Sequence, residues 1–251
     1  MKELKVEFDI NQKVLKSNYS VYLSEILETV KQDLTKYLDE FVKSDNSESK
    51  IIILSETKEL NFFSLAEISF AFANYKANHK ELTNVFNSVT SVTNFFDNLD
   101  QDQIELVKLH FLSQLMHESA RGAYTTEIAD GSKYEGNKIL GNTQKGDGKK
   151  FKGRGFIQLT GRDNYTRFSK WLDSYYVSLN TDIVNNPHIV ANDVRINVLS
   201  AFWYWQSRNI TETALEDNVY TVTKKINGGT NGLTQRSLYY SMLKKFMKEG
   251  L

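Results

Sequence analysis

The sequence predicts a mainly α protein with one small glycine-rich, β-like element between about residues 131 and 162. Two observations carry this. Apolar residues recur at three- and four-residue steps along much of the chain, and eight of the thirteen glycines fall between 131 and 161.

The stripes come in order. Tyr22, Ile26, Leu27, Val30, Leu34, Leu38 and Phe41 form an amphipathic helix, and the polar run from Ser44 to Ser49 ends it and marks a domain boundary. Ile51 to Leu54 is a short β-branched run, a strand or a buried connector. Phe62 to Tyr75 reads helical, with Leu65, Ile68, Phe72 and Tyr75 on one face. Ile104, Val107, Phe111, Leu115 and Met116 line a helix that delivers Glu118. Asn192 or Asp193 caps a helix faced by Val194, Val198, Leu199, Phe202 and Trp205. Leu238, Met242, Leu243 and Phe246 mark a final helix. The aromatic stripes read as core, and no internal repeat is visible.

A glycine run this dense is either a flexible surface loop or the floor of a binding cleft. Tyr134, Phe151, Phe156, Ile157 and Leu159 are interleaved with it, and a solvated linker has no use for so much apolar surface. The cleft reading follows.

At 251 residues, 40% apolar and 25% charged, the chain has a globular composition with room for a large core. It holds no cysteine, which excludes disulfides and thiolate metal sites. The start lacks an apolar signal core and no run approaches a membrane span, so the expectation is a product made in the cytoplasm that would act outside the cell only after release or delivery. The net charge of zero hides an asymmetry. Residues 1–100 carry 11 Lys+Arg and 16 Asp+Glu, and residues 101–251 carry 20 and 15. A basic second part suits a polyanionic substrate, although ordinary scatter produces such differences too.

Several ordered motifs between 105 and 246 bear a resemblance. His117-Glu118-Ser119, Tyr134 to Asn142, Gly153-Arg154-Gly155-Phe156-Ile157-Gln158-Leu159-Thr160-Gly161, Asn164-Tyr165, Asn186-Pro187, Ala201-Phe202-Trp203-Tyr204-Trp205 and Ile226-Asn227-Gly228-Gly229 together resemble glycoside hydrolase family 19. The phage-endolysin and bacterial cell-wall-lysing branch is the nearer likeness, ahead of the plant chitinases. The resemblance implies an α+β, lysozyme-like, two-lobed helical domain over 59–251, with the glycine-rich element lining the cleft. Residues 1–58 are left as an N-terminal extension, either a delivery or docking module or a helix packed on the main domain as core.

Glycoside hydrolysis needs a carboxylic acid to protonate the leaving oxygen and a carboxylate across the sugar. Glu118, at the end of an apolar helix where packing desolvates it, suits the acid. Glu127 lies nine residues on. On one continuous helix the two would stand roughly 13.5 Å apart along the axis and on opposite faces, so Gly122 is expected to end the helix and turn the chain back. That leaves about 6.5–9.5 Å between them, room for the water of an inverting reaction. Short-loop members of the family carry the base at this same offset of nine, which implies Glu127 as base; Glu135, in the Tyr-Glu-Gly motif, is the competitor for that role and otherwise a structural or substrate-binding carboxylate.

The resemblance further implies that Thr160 orients the attacking water, that Gln158, Asn164 and Asn227 contact sugar hydroxyls or acetamides, and that Arg236 stands near the carboxylates. For Asn227 and Arg236 a polar residue satisfying backbone is an equal reading. His117 and Arg154 fall behind these as supporting residues. One departure stands out: the family's His-Glu-Ser/Thr-Gly-Gly reads here His117-Glu118-Ser119-Ala120-Arg121. An arginine at 121 near Glu118 or Glu127 would favour their ionised forms, helping a base and hurting an acid.

No metal or cofactor is expected. His117-Glu118 lacks the second histidine of a zinc helix, and Gly153-Arg154-Gly155 lacks the ending of a phosphate loop. Nucleic acid is not an expected partner, and neither is a membrane. The expected activity is inverting hydrolysis of β-1,4 linkages between N-acetylated hexosamines, with peptidoglycan ahead of chitin as substrate. The alternative is a non-catalytic glycan- or wall-binding protein on the same scaffold. A delivery or inhibitor protein is the expected partner of residues 1–58.

Overall fold

The computed structural model describes residues 2–7, 49–54, 61–175 and 181–249. The chain divides into two compact units, Met1–Leu60 and Asn61–Leu251. In the first, β1 (Lys2–Glu7) pairs in parallel with β2 (Ser49–Leu54), Lys2 opposite Ser49 and Glu7 opposite Leu54. The run Ile51 to Leu54 is thus a strand. The expected helix over 22–41 lies outside the described residues.

The second unit is helical. α1 (Leu65–Ala71) begins at a capping box in which Ser64 and Glu67 satisfy each other's backbone N–H groups. α2 (His79–Thr93) starts on Asn78 and ends at Asn94 in the left-handed region. α3 (Gln101–Glu118) starts on a second capping box, Asp100 with Gln103. After the glycine-rich segment come α4 (Asp147–Lys150), α5 (Arg162–Tyr175), α6 (Ile189–Asn192) and α7 (Val194–Gln206). Asp193, one of the two expected caps, holds the first N–H groups of α7. α8 (Ile210–Ala214), α9 (Val219–Asn227) and α10 (Leu233–Glu249) complete the unit. No helix among the described residues is long and apolar enough to cross a membrane.

α3 is the central element, buried along most of its length and packed against α10, α9, α8 and α1. Its Lys108 reaches Glu67 of α1 at 2.7 Å, so a cation inside the unit is paired. An aromatic cluster fills the core: Phe95 and Phe202 lie 4.4 Å apart between ring centres, Phe111 and Trp205 5.2 Å. Each such ring contributes roughly 1.5–3 kcal/mol by its burial.

Phe156 belongs to this cluster although it comes from the glycine-rich segment, its ring 4.5 Å from that of Phe72. Its backbone N–H donates to Asn197 Oδ1 of α7 at 2.6 Å. The segment is therefore bolted to the helical core. Its expected β character reduces to two isolated bridges, Thr126 with Arg154 and Arg154 with Leu159. The rest is 3₁₀ turns, Ser132–Tyr134 and Lys138–Leu140, with α4 between them and α5. Side chains bonding to backbone, rather than strand ladders, hold these turns, and glycine content alone does not separate the two.

Candidate active site

Glu118 is the last residue of α3 and is largely buried, its side chain 17% exposed. Arg236 of α10, fully buried, donates from Nη2 to Glu118 Oε1 at 2.5 Å. The same guanidinium donates from Nη1 to Gln114 Oε1 (2.6 Å) and from Nε to the Asn231 carbonyl (3.2 Å). One buried fork thus ties the acid's helix to α10 and the loop before it. Glu118 Oε2 takes no hydrogen bond among the described residues. His117 faces the start of α10: its Nδ1 lies 2.8 Å from Gln235 Oε1 of that helix and its ring rests against Gly232 just before it. Burial and then the nearby Arg236 charge push the imidazole below its ordinary value.

The turn after Glu118 is not made where the sequence suggested. The helix stops at Glu118 with Ser119 as its cap, ahead of Gly122, and Ala120, Arg121 and Gly122 follow one another in the left-handed region at φ 49°, 58° and 85°. The Ser119 hydroxyl donates to the Leu115 carbonyl and accepts the Gly122 N–H, closing the turn from inside. Two non-glycine residues at positive φ are strained. Arg121 is compensated: its guanidinium donates to the Phe70 carbonyl and lies over the Phe70 ring, 5.0 Å from the centre. This corrects the expectation that Arg121 bears on the carboxylates. It points to α1, because the left-handed turn swings its side chain there.

A stability test follows. Ala120→Gly relieves the strain of a non-glycine residue at φ 49° and should stabilise by about 0.5–1 kcal/mol. Gly122→Ala should destabilise by about 2 kcal/mol or more, since its new methyl would also stand 2.8 Å from Tyr75 Cβ. Urea unfolding of the two variants reads both signs.

Glu127 sits on the far side of this turn, its side chain 16% exposed. Its backbone N–H donates to the Gly153 carbonyl at 2.9 Å, and Gly153 N–H returns a bond to Oε2 at 3.1 Å. Oε1 accepts from the Tyr134 hydroxyl (3.0 Å) and from Lys133 Nζ (2.9 Å). Burial pushes the Glu127 carboxyl up, but the bonds from Lys133, Gly153 and Tyr134 outweigh it and hold the group below its ordinary value. Glu127 is a carboxylate built to stay ionised.

Thr160 and Gln158 share this corner. A methyl placed on Gly153 would stand 2.8 Å from Gln158 Oε1, 3.3 Å from Thr160 Oγ1 and 3.4 Å from Glu127 Oε2. Only glycine leaves that space to the three polar groups. Thr160 donates its hydroxyl proton to the Gln158 carbonyl at 2.8 Å, so its oxygen stays available as an acceptor. Asn164 is a bracket: it donates to the Thr160 carbonyl (2.8 Å) and accepts from Arg208 Nη2 (2.9 Å).

Glu135 is placed otherwise. Its two oxygens accept the N–H groups of Gly146 (2.6 Å) and Gly148 (2.8 Å), so it clamps the start of α4. Arg154 serves the segment's interior, donating to the Lys150 and Lys152 carbonyls and to the Tyr165 hydroxyl. Asn227, exposed at the end of α9, spans its own loop by accepting Gly229 N–H and donating to the Asn231 carbonyl. The structure therefore gathers Glu127, Gln158 and Thr160 around Gly153, and joins Glu118 to Arg236. Sequence reasoning left out Tyr134 and Lys133 as site residues. The phenol stood in a quoted motif seven residues past Glu127, whereas a lone lysine carries no sequence signal. Among the described residues no group of three or more His, Cys, Asp or Glu is placed to hold a metal ion.

Comparison with known proteins agrees with this frame. The profile of glycoside hydrolase family 19, described as chitinase class I, matches residues 76–224, and the chain belongs to that family. A Haemophilus influenzae glycosyl hydrolase family 19 domain-containing protein is 41% identical over 103 residues, covering 41% of this chain and 46% of the relative. An acidic 27 kDa endochitinase of Solanum lycopersicum is 32% identical over 111 residues, covering 43% of this chain and 39% of the relative. The chain spans less than half the length of these curated relatives. Chitinase C from Streptomyces griseus HUT6037 superposes with a TM-score of 0.60 at 19% identity, over 77% of this chain and 96% of that one, which shows a shared, mainly helical fold.

Proposed function

We propose that the protein is an inverting glycoside hydrolase that cleaves β-1,4 linkages between N-acetylated hexosamines, with Glu118 as general acid and Glu127 as general base. The observation that carries the reading is the unlike treatment of two carboxylates. Glu127 takes three donors that hold its carboxyl below the ordinary range and turns Oε2 to the Gly153 corner that Thr160 also lines, while Glu118 is ion-paired to Arg236 through Oε1 and leaves Oε2 without a hydrogen bond among the described residues. In the proposed step Glu118 Oε2 gives its proton to the leaving oxygen. A water, with one hydrogen on Thr160 Oγ1 and the other on Glu127 Oε2, adds its oxygen to the anomeric carbon from the opposite side. Its proton passes to Glu127, and exchange with solvent restores both groups. Gln158, whose Nε2 donates to the Gly155 carbonyl and whose Oε1 lines the Gly153 corner, accepts there from a hydroxyl or acetamide N–H of the sugar.

Peptidoglycan is the favoured substrate. The basic balance of residues 101–251 and the likeness of the loops to endolysins support it. Chitin is the second reading, favoured by relatives that carry the name endochitinase. The enzyme would act on the wall after release or delivery, with residues 1–58 as the delivery or docking module; the division of the chain at Leu60 supports that assignment. The test is turnover of purified peptidoglycan and of chitin oligomers by the intact chain. Release of reducing ends from either supports a hydrolase and ranks the substrates. Binding to both without release would leave a glycan-binding protein on a hydrolase scaffold.

A further inference from the structure

Two lysines hold Glu127, and they do different things. Lys152 Nζ donates to the backbone carbonyls of Glu127 (2.9 Å) and Ala129 (3.2 Å), fixing the turn itself. Lys133 Nζ donates to the carboxylate, 2.9 Å from Oε1, while its ammonium lies 4.8 Å from the centre of the Tyr134 ring. Lys133 is not there to fill a core, since its side chain is 61% exposed. It is nonetheless presented on a braced turn. Asp130 Oδ1 accepts the Ser132 N–H at 2.9 Å at the start of the 3₁₀ turn, and the Glu135 clamp on Gly146 and Gly148 holds its end.

The result is an asymmetric carboxylate. Oε1 takes both Lys133 and the Tyr134 hydroxyl, which fills its two lone pairs. Oε2 takes only the Gly153 N–H among the described residues and faces the corner shared with Gln158 and Thr160.

We propose that Lys133 is a positioning residue for the base: by occupying Oε1 it leaves Oε2 as the proton acceptor and keeps the Glu127 carboxylate charged. The proposal rests on the base role assigned to Glu127 above. The charged and titratable groups that face Glu127 are Lys133 and Tyr134 from the 3₁₀ turn and Lys152 from the segment after α4. Asp130, the nearest other acid in the turn, is paired with Lys149 at 3.2 Å. The shifts agree with the geometry. The Glu127 bond and then the Tyr134 contact push the Lys133 ammonium up, and the Lys133 bond is the largest of the influences that lower Glu127.

The test uses the full chain with Lys133→Met and Lys133→Arg. Two readouts are compared: ¹³C NMR titration of the Glu127 side-chain carboxyl, assigned by its loss in Glu127→Gln, and the pH profile of kcat/KM. Without the lysine, one lowering influence is gone, so the carboxyl rises toward its ordinary value. In Lys133→Met both the carboxyl titration and the acid limb should move to higher pH by roughly half a unit, with kcat falling more than KM changes. The displacement should shrink in 1 M salt, and Lys133→Arg should restore the wild-type position. A Glu127 titration unmoved in Lys133→Met overturns the proposal, as does an arginine variant that behaves like the methionine one. A purely structural lysine would lower the melting temperature and leave the titration in place. Should the wild type turn over no glycan, the base role fails, yet the carboxyl titration still decides whether Lys133 sets the state of Glu127.

Discussion

Glu118→Gln is expected to fold as the wild type does and to lose glycan turnover by about 10²–10⁴-fold, the contribution of a positioned general acid. The amide is nearly the same shape, and its oxygen still accepts from Arg236 Nη2, so the link between α3 and α10 survives. What disappears is the carboxyl oxygen that Arg236 leaves free, and an amide nitrogen in its place cannot carry and release a proton as an acid does. The comparison is made well below the melting temperature of both proteins, because a buried arginine that has lost its carboxylate partner lowers stability. A variant that keeps more than about a tenth of wild-type turnover would end the assignment of Glu118 as acid.

The second large effect is at Glu127. Glu127→Gln removes the carboxylate that faces the Gly153 corner and, if it is the base, should also cost about 10²–10⁴-fold. Glu135→Gln should act through structure instead. An amide nitrogen cannot accept from Gly146 or Gly148, so one of the two clamp bonds is lost and the start of α4 loosens, at a cost of about 1–3 kcal/mol. Turnover should then fall by less than about tenfold. Rates measured at matched distance from each variant's melting point separate the two, and the opposite ranking would move the base role to Glu135.

The parts of the fold that the sequence made visible are those whose buried face is apolar throughout. α3 reads as a helix because Val107, Phe111 and Leu115 fall on one stripe, and α7 because Asp193 caps an equally apolar run. α2 escaped notice since its inner face includes Thr83, Thr90 and Thr93. Each hydroxyl is buried at no loss by donating to the carbonyl four residues back, so polar letters hide a core-facing side. α5 is hidden likewise by a mainly polar sequence. In the candidate site, motif and spacing single out Glu118 and Glu127. How differently Glu127 and Glu135 are bonded was not legible, because that depends on backbone N–H groups of Gly146, Gly148 and Gly153, which no side-chain pattern reports. Arg121 was misplaced for the same reason. Its direction is set by three successive left-handed residues, and composition gives no sign of them. Arg236 reaches Glu118 across 118 residues of chain, a distance over which only the packing of α10 on α3 brings them together.

If two carboxylates flank the bond and water, not the enzyme, attacks the sugar, the first product carries the inverted configuration. Proton NMR of the first products, on whichever soluble peptidoglycan fragment or N-acetylglucosamine oligomer the protein turns over, tests this directly. The α-anomer is expected to appear first and then to mutarotate toward equilibrium. Early accumulation of the β-anomer would contradict it.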